Sequence, residues 1–191
     1  EGRWSRSPHF CLLDYPIHEL TGKVMGILGH GALGREVARL AQAFGMRVVI
    51  GSRPGAAPAS GRLPLPELLA AVDVLSLHLP LTPETRNMVG ARELALMKPS
   101  AVLINTARGG LVDEAALARA LRGGALGGAA VDVLSAEPPP PDHPLLAPDI
   151  PHLIVTPHVA WASVEARRRL IVEVAENIRA FAAGRERHRV V

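Results

Sequence analysis

Apolar residues in this chain come as short unbroken runs alternating with segments of helical spacing. The first run, 23–28 (KVMGIL), lies between Thr21-Gly22 and Gly29 and predicts a buried strand. Residues 35–44 then place Val37, Leu40, Ala41 and Phe44 on one helical face, and Gly45 supplies a stop. A second strand is expected over 47–51, so 23–51 reads as one strand–helix–strand unit. The alternation continues with helix 67–71, strand 72–77, helix 91–97 halted at Lys98-Pro99, and strand 101–104. Helix 113–121, closed by Gly123-Gly124, precedes strands over 128–133 and 153–156. A long helix is expected over 162–183, with Val164, Ile171, Val174, Ile178 and Phe181 as its buried stripe.

Strands separated by helices, and apolar throughout, imply a parallel sheet covered on both faces. Six of them suggest a Rossmann-type doubly wound α/β fold with strand order 3-2-1-4-5-6. On this reading 1–20 is an arm or linker, 21–160 the Rossmann-type domain and 161–191 a C-terminal helix and tail. The opening stretch from Glu1 is already rich in core-type residues and reads as the middle of something longer.

Composition narrows the class. With 191 residues, 48% of them apolar, and a mean hydropathy of +0.20, the chain can bury one domain's core and is no disordered tail. One cysteine, Cys11, excludes a disulfide framework and fits a reducing, cytoplasmic setting. No apolar run reaches the roughly 18 residues of a membrane span. The net charge of +3 rests on scattered arginines, Lys23 and Lys98 being the only lysines; with 3% aromatic residues this argues against a nucleic-acid surface. No metal site is assigned.

Gly29-His30-Gly31-Ala32-Leu33-Gly34 is a G-x-G-x-x-G turn that follows a strand and opens a helix. Gly29 makes the tight turn, Gly31 admits a pyrophosphate to the backbone and Gly34 lets helix pack on strand. The helix N-terminus adds free N–H groups and partial positive charge. A glycine turn without ligand is the alternative. Sites for NAD place an acid at the end of the second strand for the ribose hydroxyls. Here that end reads Gly51-Ser52-Arg53-Pro54, with no acid. Arg53 can pair with a 2′-phosphate and Ser52 can donate to it, which favours NADP over NAD. Otherwise Arg53 stacks on adenine or faces solvent.

Ligands of open parallel sheets bind beyond the carboxyl ends of the strands. Those ends carry Ser76-Leu77-His78, Asn105-Thr106-Ala107-Arg108, Asp132 and Thr156-Pro157-His158. His158 is the candidate proton carrier, since an imidazole titrates near working pH. Glu137, in the loop before the last strand, is placed to reach it, and a carboxylate there favours the proton-donating form. Arg108 offers a forked donor to a carboxylate or polarised carbonyl. With a nicotinamide as hydride source, these three make a ketone reductase.

Several motifs in order, Gly29 to Gly34, Leu79-Pro80-Leu81-Thr82 with Thr85, INTARGGLVDE (104–114), GGAAVDV (127–133), Glu137-Pro138 and TPHVAWAS (156–163), resemble the D-isomer-specific 2-hydroxyacid dehydrogenases. The likeness runs over nearly the whole chain and is nearest to the glycerate dehydrogenase and hydroxypyruvate reductase branch. It implies that Arg108 binds substrate carboxylate and carbonyl, and that Glu137 and His158 form the acid–base pair. It also implies that Asp132 meets the nicotinamide carboxamide, with Thr106, Ala107, Arg108, His78, Leu79 and Pro80 beside ribose and ring. Thr85, His158 and Ala160 are further cofactor positions on the same motifs. The related formate dehydrogenases pair the histidine with Gln, so Glu137 points to a small 2-hydroxy or 2-keto acid as partner.

Two departures stand out. The ribose-binding acid is replaced at Ser52-Arg53, leaving NADP or NAD with NADP favoured. The N-terminal substrate domain of such enzymes, roughly 100 residues or more, is missing from this chain, so cofactor binding with little turnover is expected. Two alternatives remain: a non-catalytic dinucleotide sensor, as in corepressors of this fold, and a truncated fragment. The resemblance suggests a homodimer through the cofactor domains. Elsewhere, Cys11 and the methionines Met46, Met88 and Met97 read as core filler, His143 as a turn-fixing residue, and Arg167 to Arg169 as a solvated face. Trp161 lines either the pocket or a subunit contact.

Overall fold

The structure is a computed structural model that describes residues 2–14, 16–52 and 60–190. Its frame is a seven-stranded, wholly parallel sheet. The elements in chain order are β1 (Val24–Leu28), α1 (Ala32–Ala43), β2 (Arg47–Gly51), β3 (Arg62–Leu63), α2 (Leu65–Ala71) and β4 (Val74–Leu77). They continue with α3 (Ala91–Leu94), β5 (Val102–Asn105), α4 (Glu114–Arg122), β6 (Gly128–Val131), β7 (Leu153–Val155) and α5 (Val164–Ala182). Across the sheet the order is β3-β2-β1-β4-β5-β6-β7.

The doubly wound fold is as expected, but one strand takes a different place. The run 72–77, read as the third strand, forms β4 and pairs with β1. The outer seat beside β2 belongs to Arg62–Leu63. Two residues between Gly61 and Pro64 carry no periodic signal, so the pairing alone reveals this strand.

β1 is an interior strand between β2 and β4, and all five of its residues are buried, as a strand covered on both faces requires. Leu28, Leu68, Leu75, Leu77, Leu103 and Leu117 join one large cluster on one side; Met25, Ile27, Ala38, Ala41 and Met46 form the other. Burying each such Leu or Ile contributes roughly 1.5–3 kcal/mol relative to exposure. Met46, Met88 and Met97 are buried as read, while Cys11 is only half-buried. Asp73 ties the bottom of the sheet: its carboxylate accepts from Val24 N at 2.8 Å and Lys98 Nζ at 2.9 Å.

The helices depart from expectation in three ways. α3 is one turn long, because after Leu94 the chain continues in turns toward Pro99. On α1 the buried residues are Gly34, Ala38 and Ala41, with Leu40 and Phe44 exposed. Most clearly, the apolar stripe of α5 is uncovered: Val164, Ile171, Val174, Ile178 and Phe181 are all exposed, and Ala180 is the helix's one buried residue. Helical periodicity correctly gave the helix, but the stripe has no described element of this chain to pack against. Among the described residues, no helix is long and apolar enough to cross a membrane.

Candidate active site

Register levels the strand ends. Leu28, Leu77, Asn105, Val131 and Val155 lie in one row across β1, β4, β5, β6 and β7. One residue beyond that row stand Gly29, His78, Thr106, Asp132 and Thr156. The polar residues read from the strand ends therefore share one edge by hydrogen-bonded pairing.

The glycine turn is built by close approach. Gly29 has φ of +95°, and a Cβ there would meet the carbonyl oxygen of His78 at 2.4 Å. At Gly34 a Cβ would meet the Gly29 carbonyl oxygen at 2.0 Å, so α1 presses directly on the turn. Gly31 is the opposite case: a Cβ there would meet nothing within 4 Å. It is the N-cap of α1 and provides no side-chain cap, leaving the first-turn N–H groups open to a ligand. His30, Ala32 and Leu33 complete the turn, with Leu33 exposed.

Gly29, His30, Gly31, Gly51, Arg62, His78, Leu79 and Pro80 line a cleft of about 290 Å³. Gly51 and Arg62 are additions to the sequence reading. Arg62 reaches the cleft through β3, which periodicity cannot show. Ser52, just past the end of β2, donates its N–H to Leu63 O at 2.8 Å. Its hydroxyl oxygen is buried and has no hydrogen-bond partner among the described residues. Arg53 lies outside the described residues. His78 is half-buried, with Nε2 2.9 Å from the Ser76 hydroxyl, and burial pushes its pKa down. Thr85 is buried and holds the following turn: its hydroxyl donates to Pro80 O and accepts from Thr82 N, both at 2.8 Å. The open backbone at Gly31, the orphaned Ser52 hydroxyl and the basic cleft fit a dinucleotide.

At the other end of the edge, β5 leads into Asn105, which is buried and shapes the next turn. Its amide donates to Arg108 O at 2.9 Å, and its carbonyl accepts from Ala107 N at 3.1 Å. Thr106 and Arg108 are thereby held exposed, with Arg108 Nη1 donating to Ala107 O at 2.6 Å. Asp132 is buried and organises the turn after β7. It accepts from the Thr156 hydroxyl at 2.5 Å and from Val159 N and Ala160 N at 2.9 Å each. Burial alone would raise its pKa, but these hydrogen bonds and nearby His158 hold it below the usual carboxylate value.

His158 sits in that turn at φ of +53°, a left-handed conformation in which histidine is enriched among non-glycine residues. Its Nδ1 is 2.8 Å from Glu137 Oε2. Glu137 Oε1 accepts from Leu134 N at 2.8 Å. That N–H, working against burial, and then His158 and the charge of Arg108 hold the Glu137 pKa down. Asp132, Leu134, Glu137, Leu146, Val155 and His158 line an apolar-walled hollow of about 510 Å³. Trp161 is exposed and donates its indole N–H to His158 O at 2.9 Å, bracing the turn from outside.

A buried cluster behind this loop escaped the sequence reading. His143 fixes a turn as expected, its Nδ1 accepting from Leu145 N at 3.2 Å. Its Nε2 also meets Glu114 Oε2 at 3.0 Å. Glu114 further accepts from Ser135 N at 2.7 Å and from the Ser135 hydroxyl. The loop bearing Glu137 is thus clasped to the first turn of α4. Among the described residues, no three His, Cys, Asp or Glu side chains group to hold a metal ion.

Comparison with known proteins agrees with this fold. The family described as D-isomer specific 2-hydroxyacid dehydrogenase, NAD binding domain, matches residues 1–160. A glycerate dehydrogenase from Methylorubrum extorquens is 50% identical over 184 residues, covering 96% of this chain and 58% of that one. A solved structure from Thermus thermophilus superposes with a TM-score of 0.81 at 46% identity, covering 91% of this chain and 55% of the other. A glyoxylate reductase from Paecilomyes thermophila gives a TM-score of 0.74 at 39% identity, with 85% and 50% covered. The chain therefore spans between half and three fifths of each of these relatives.

Proposed function

The chain belongs to the D-isomer specific 2-hydroxyacid dehydrogenase family, and from that premise we propose that it is the cofactor-binding part of an NAD(P)-dependent oxidoreductase. The reaction is interconversion of a D-2-hydroxy acid and a 2-keto acid, of the glycerate–hydroxypyruvate or glyoxylate type. Residues 21–160 form the dinucleotide unit, preceded by an arm and followed by a C-terminal helix and tail. The observation that carries this reading is the 2.8 Å His158–Glu137 pair on the same strand-end edge as the glycine turn.

A bound nicotinamide dinucleotide supplies or accepts the hydride. Gly29, His30, Gly31, Ala32, Leu33 and Gly34 seat its pyrophosphate on the N-terminus of α1. His78, Leu79 and Pro80 would lie beside its ribose and ring, and Thr85 fixes the turn behind them. Thr106 and Ala107 would lie beside its nicotinamide, with Asp132 and Ala160 toward the carboxamide. Arg108 binds the substrate carboxylate and polarises the carbonyl. His158 has no partner for Nε2 among the described residues, so that nitrogen can pass its proton to the carbonyl oxygen during reduction. In the reverse direction it takes the proton back, with Glu137 opposite Nδ1 stabilising the imidazolium.

The cofactor is NADP in preference to NAD, supported by the missing acid after Gly51, the orphaned Ser52 hydroxyl and Arg53 beside it. The working form is a homodimer, which offers cover for exposed apolar surface such as that of α5. A cytoplasmic setting accords with the lone cysteine and the nucleotide cofactor. The test is reduction of hydroxypyruvate and glyoxylate by the gene's full-length product, with NADPH and NADH in parallel. Turnover with either acid is expected, and absence of both turnover and dinucleotide binding overturns the reading.

A further inference from the structure

The adenosine end of the cleft holds a charge that the strand-end reading did not include. A dinucleotide whose pyrophosphate rests on the Gly29–Gly34 turn runs its adenosine from β1 toward β2, where the ribose hydroxyls meet the strand end. Of the described residues lining that cleft none is Asp or Glu, and among them Arg62 is the one permanently charged side chain. Among the described residues no carboxylate pairs with Arg62, whereas Arg39, Arg122, Arg179, Arg187 and Arg189 each hold one. Its position is fixed: Arg62 is level with Ile50 in the β2–β3 ladder, and Ser52 N bonds to Leu63 O at 2.8 Å. The buried Ser52 hydroxyl, without a partner among the described residues, lies one residue past Gly51, which lines the same cleft.

A guanidinium and a hydroxyl that lack partners among the described residues, with no acid in the sequence between them, suit a dianionic phosphate. They do not suit a ribose diol, which needs a carboxylate acceptor. We infer that Arg62 is a specificity-determining residue that binds the 2′-phosphate of NADP(H), with the Ser52 hydroxyl as second donor. The inference rests on the dinucleotide reading above and adds the residue that reads the phosphate. β3 thereby has a task beyond closing the sheet: it carries a cation to the outer side of the ribose. The phosphate would be gripped from two strands, β2 and β3.

The experiment is equilibrium binding of NADPH and NADH, followed by nicotinamide fluorescence, to the full chain and to Arg62→Leu, Arg62→Lys and Ser52→Ala. The exposed position of Arg62 lets Arg62→Leu fold, and circular dichroism confirms that it has. The expected result is tighter NADPH than NADH in the parent, and loss of about tenfold or more in NADPH affinity in Arg62→Leu. NADH affinity should stay within about twofold, because its ribose carries no charge for Arg62 to meet. Arg62→Lys should recover part of the loss, and Ser52→Ala should lose less than Arg62→Leu. An equal loss for both nucleotides, no loss for either, or a parent that prefers NADH overturns the inference and leaves the dinucleotide reading standing. Binding of neither nucleotide by the parent overturns both.

Discussion

Two glutamate–histidine pairs lie close together in sequence on the acid–base side of this fold, and they are built for different ends. Glu114 and His143 meet at 3.0 Å and are almost wholly buried, at 9% and 5% exposure. Glu137 and His158 meet at 2.8 Å with 37% and 43% exposure. In the first pair both imidazole nitrogens are engaged, one by the carboxylate and one by Leu145 N. In the second Nδ1 is engaged, Nε2 has no hydrogen-bond partner among the described residues, and the ring lines a hollow. The chemical groups are the same; what separates the clasp from the proposed proton carrier is access and one nitrogen without a partner among the described residues.

The largest effect should follow loss of that nitrogen. His158→Ala in the full-length product is expected to cut 2-keto acid reduction by about 10²–10⁴-fold. Its unfolding free energy should stay within about 0.5 kcal/mol, since the exposed ring spans no core. Dinucleotide binding should be largely kept. The comparison breaks if a third or more of the turnover survives.

The clasp should show the reverse profile. Glu114→Ala strips the shared acceptor from Ser135 N, the Ser135 hydroxyl and His143. Taking the acceptor from the buried His143 ring and from the exposed Ser135 should cost about 2 kcal/mol, read from urea unfolding. Glu114→Gln should lose less, because its carbonyl oxygen can keep one donor. Destabilisation below about 0.5 kcal/mol would mean that the clasp is not a unit. A smaller change tests the open pair itself. Glu137→Gln keeps the shape but removes the charge opposite Nδ1, and turnover should fall about tenfold with little change in stability.

How much of this could be read in advance depends on the range of the interaction concerned. Continuous apolar runs such as 101–104 and 128–133 carry their own signal, so the parallel sheet and its carboxyl edge were legible. From that edge came Arg108, Glu137 and His158. β3 was not legible, because two residues have no period, and Arg62 went unnoticed with it. Nor was the Glu114–His143 contact, which joins residues 29 apart in a cluster no local rule describes. The α5 stripe failed in the other direction: spacing correctly predicted an amphipathic helix, but spacing says nothing about what lies opposite. Patterns within an element were readable, and partners across elements were not.

Acidity sharpens the contrast at its finest scale, and the sign follows from the shifts. Burial holds the folded pKa of His78 below its unfolded value, so protonation opposes folding. Its contribution is complete above about pH 6.5 and begins to drain as the pH falls through that ordinary value. Asp132, Asp73 and Glu137 are likewise held below their unfolded values, of about 3.9 for aspartate and 4.3 for glutamate. Their stabilisation is present above about pH 4 and is lost as the pH drops through the folded values. Urea unfolding from pH 8 to pH 3 should therefore show a shallow first decline and a steeper one below about pH 4. His78→Asn should remove the first decline alone, whereas Asp132→Asn should flatten the second. Glu137→Gln should change the second decline least, since that carboxylate is the most exposed of the three and solvent screens its partners. A stability that rises toward pH 3 would reverse the sign and place these carboxylates in a setting other than the one their hydrogen bonds describe.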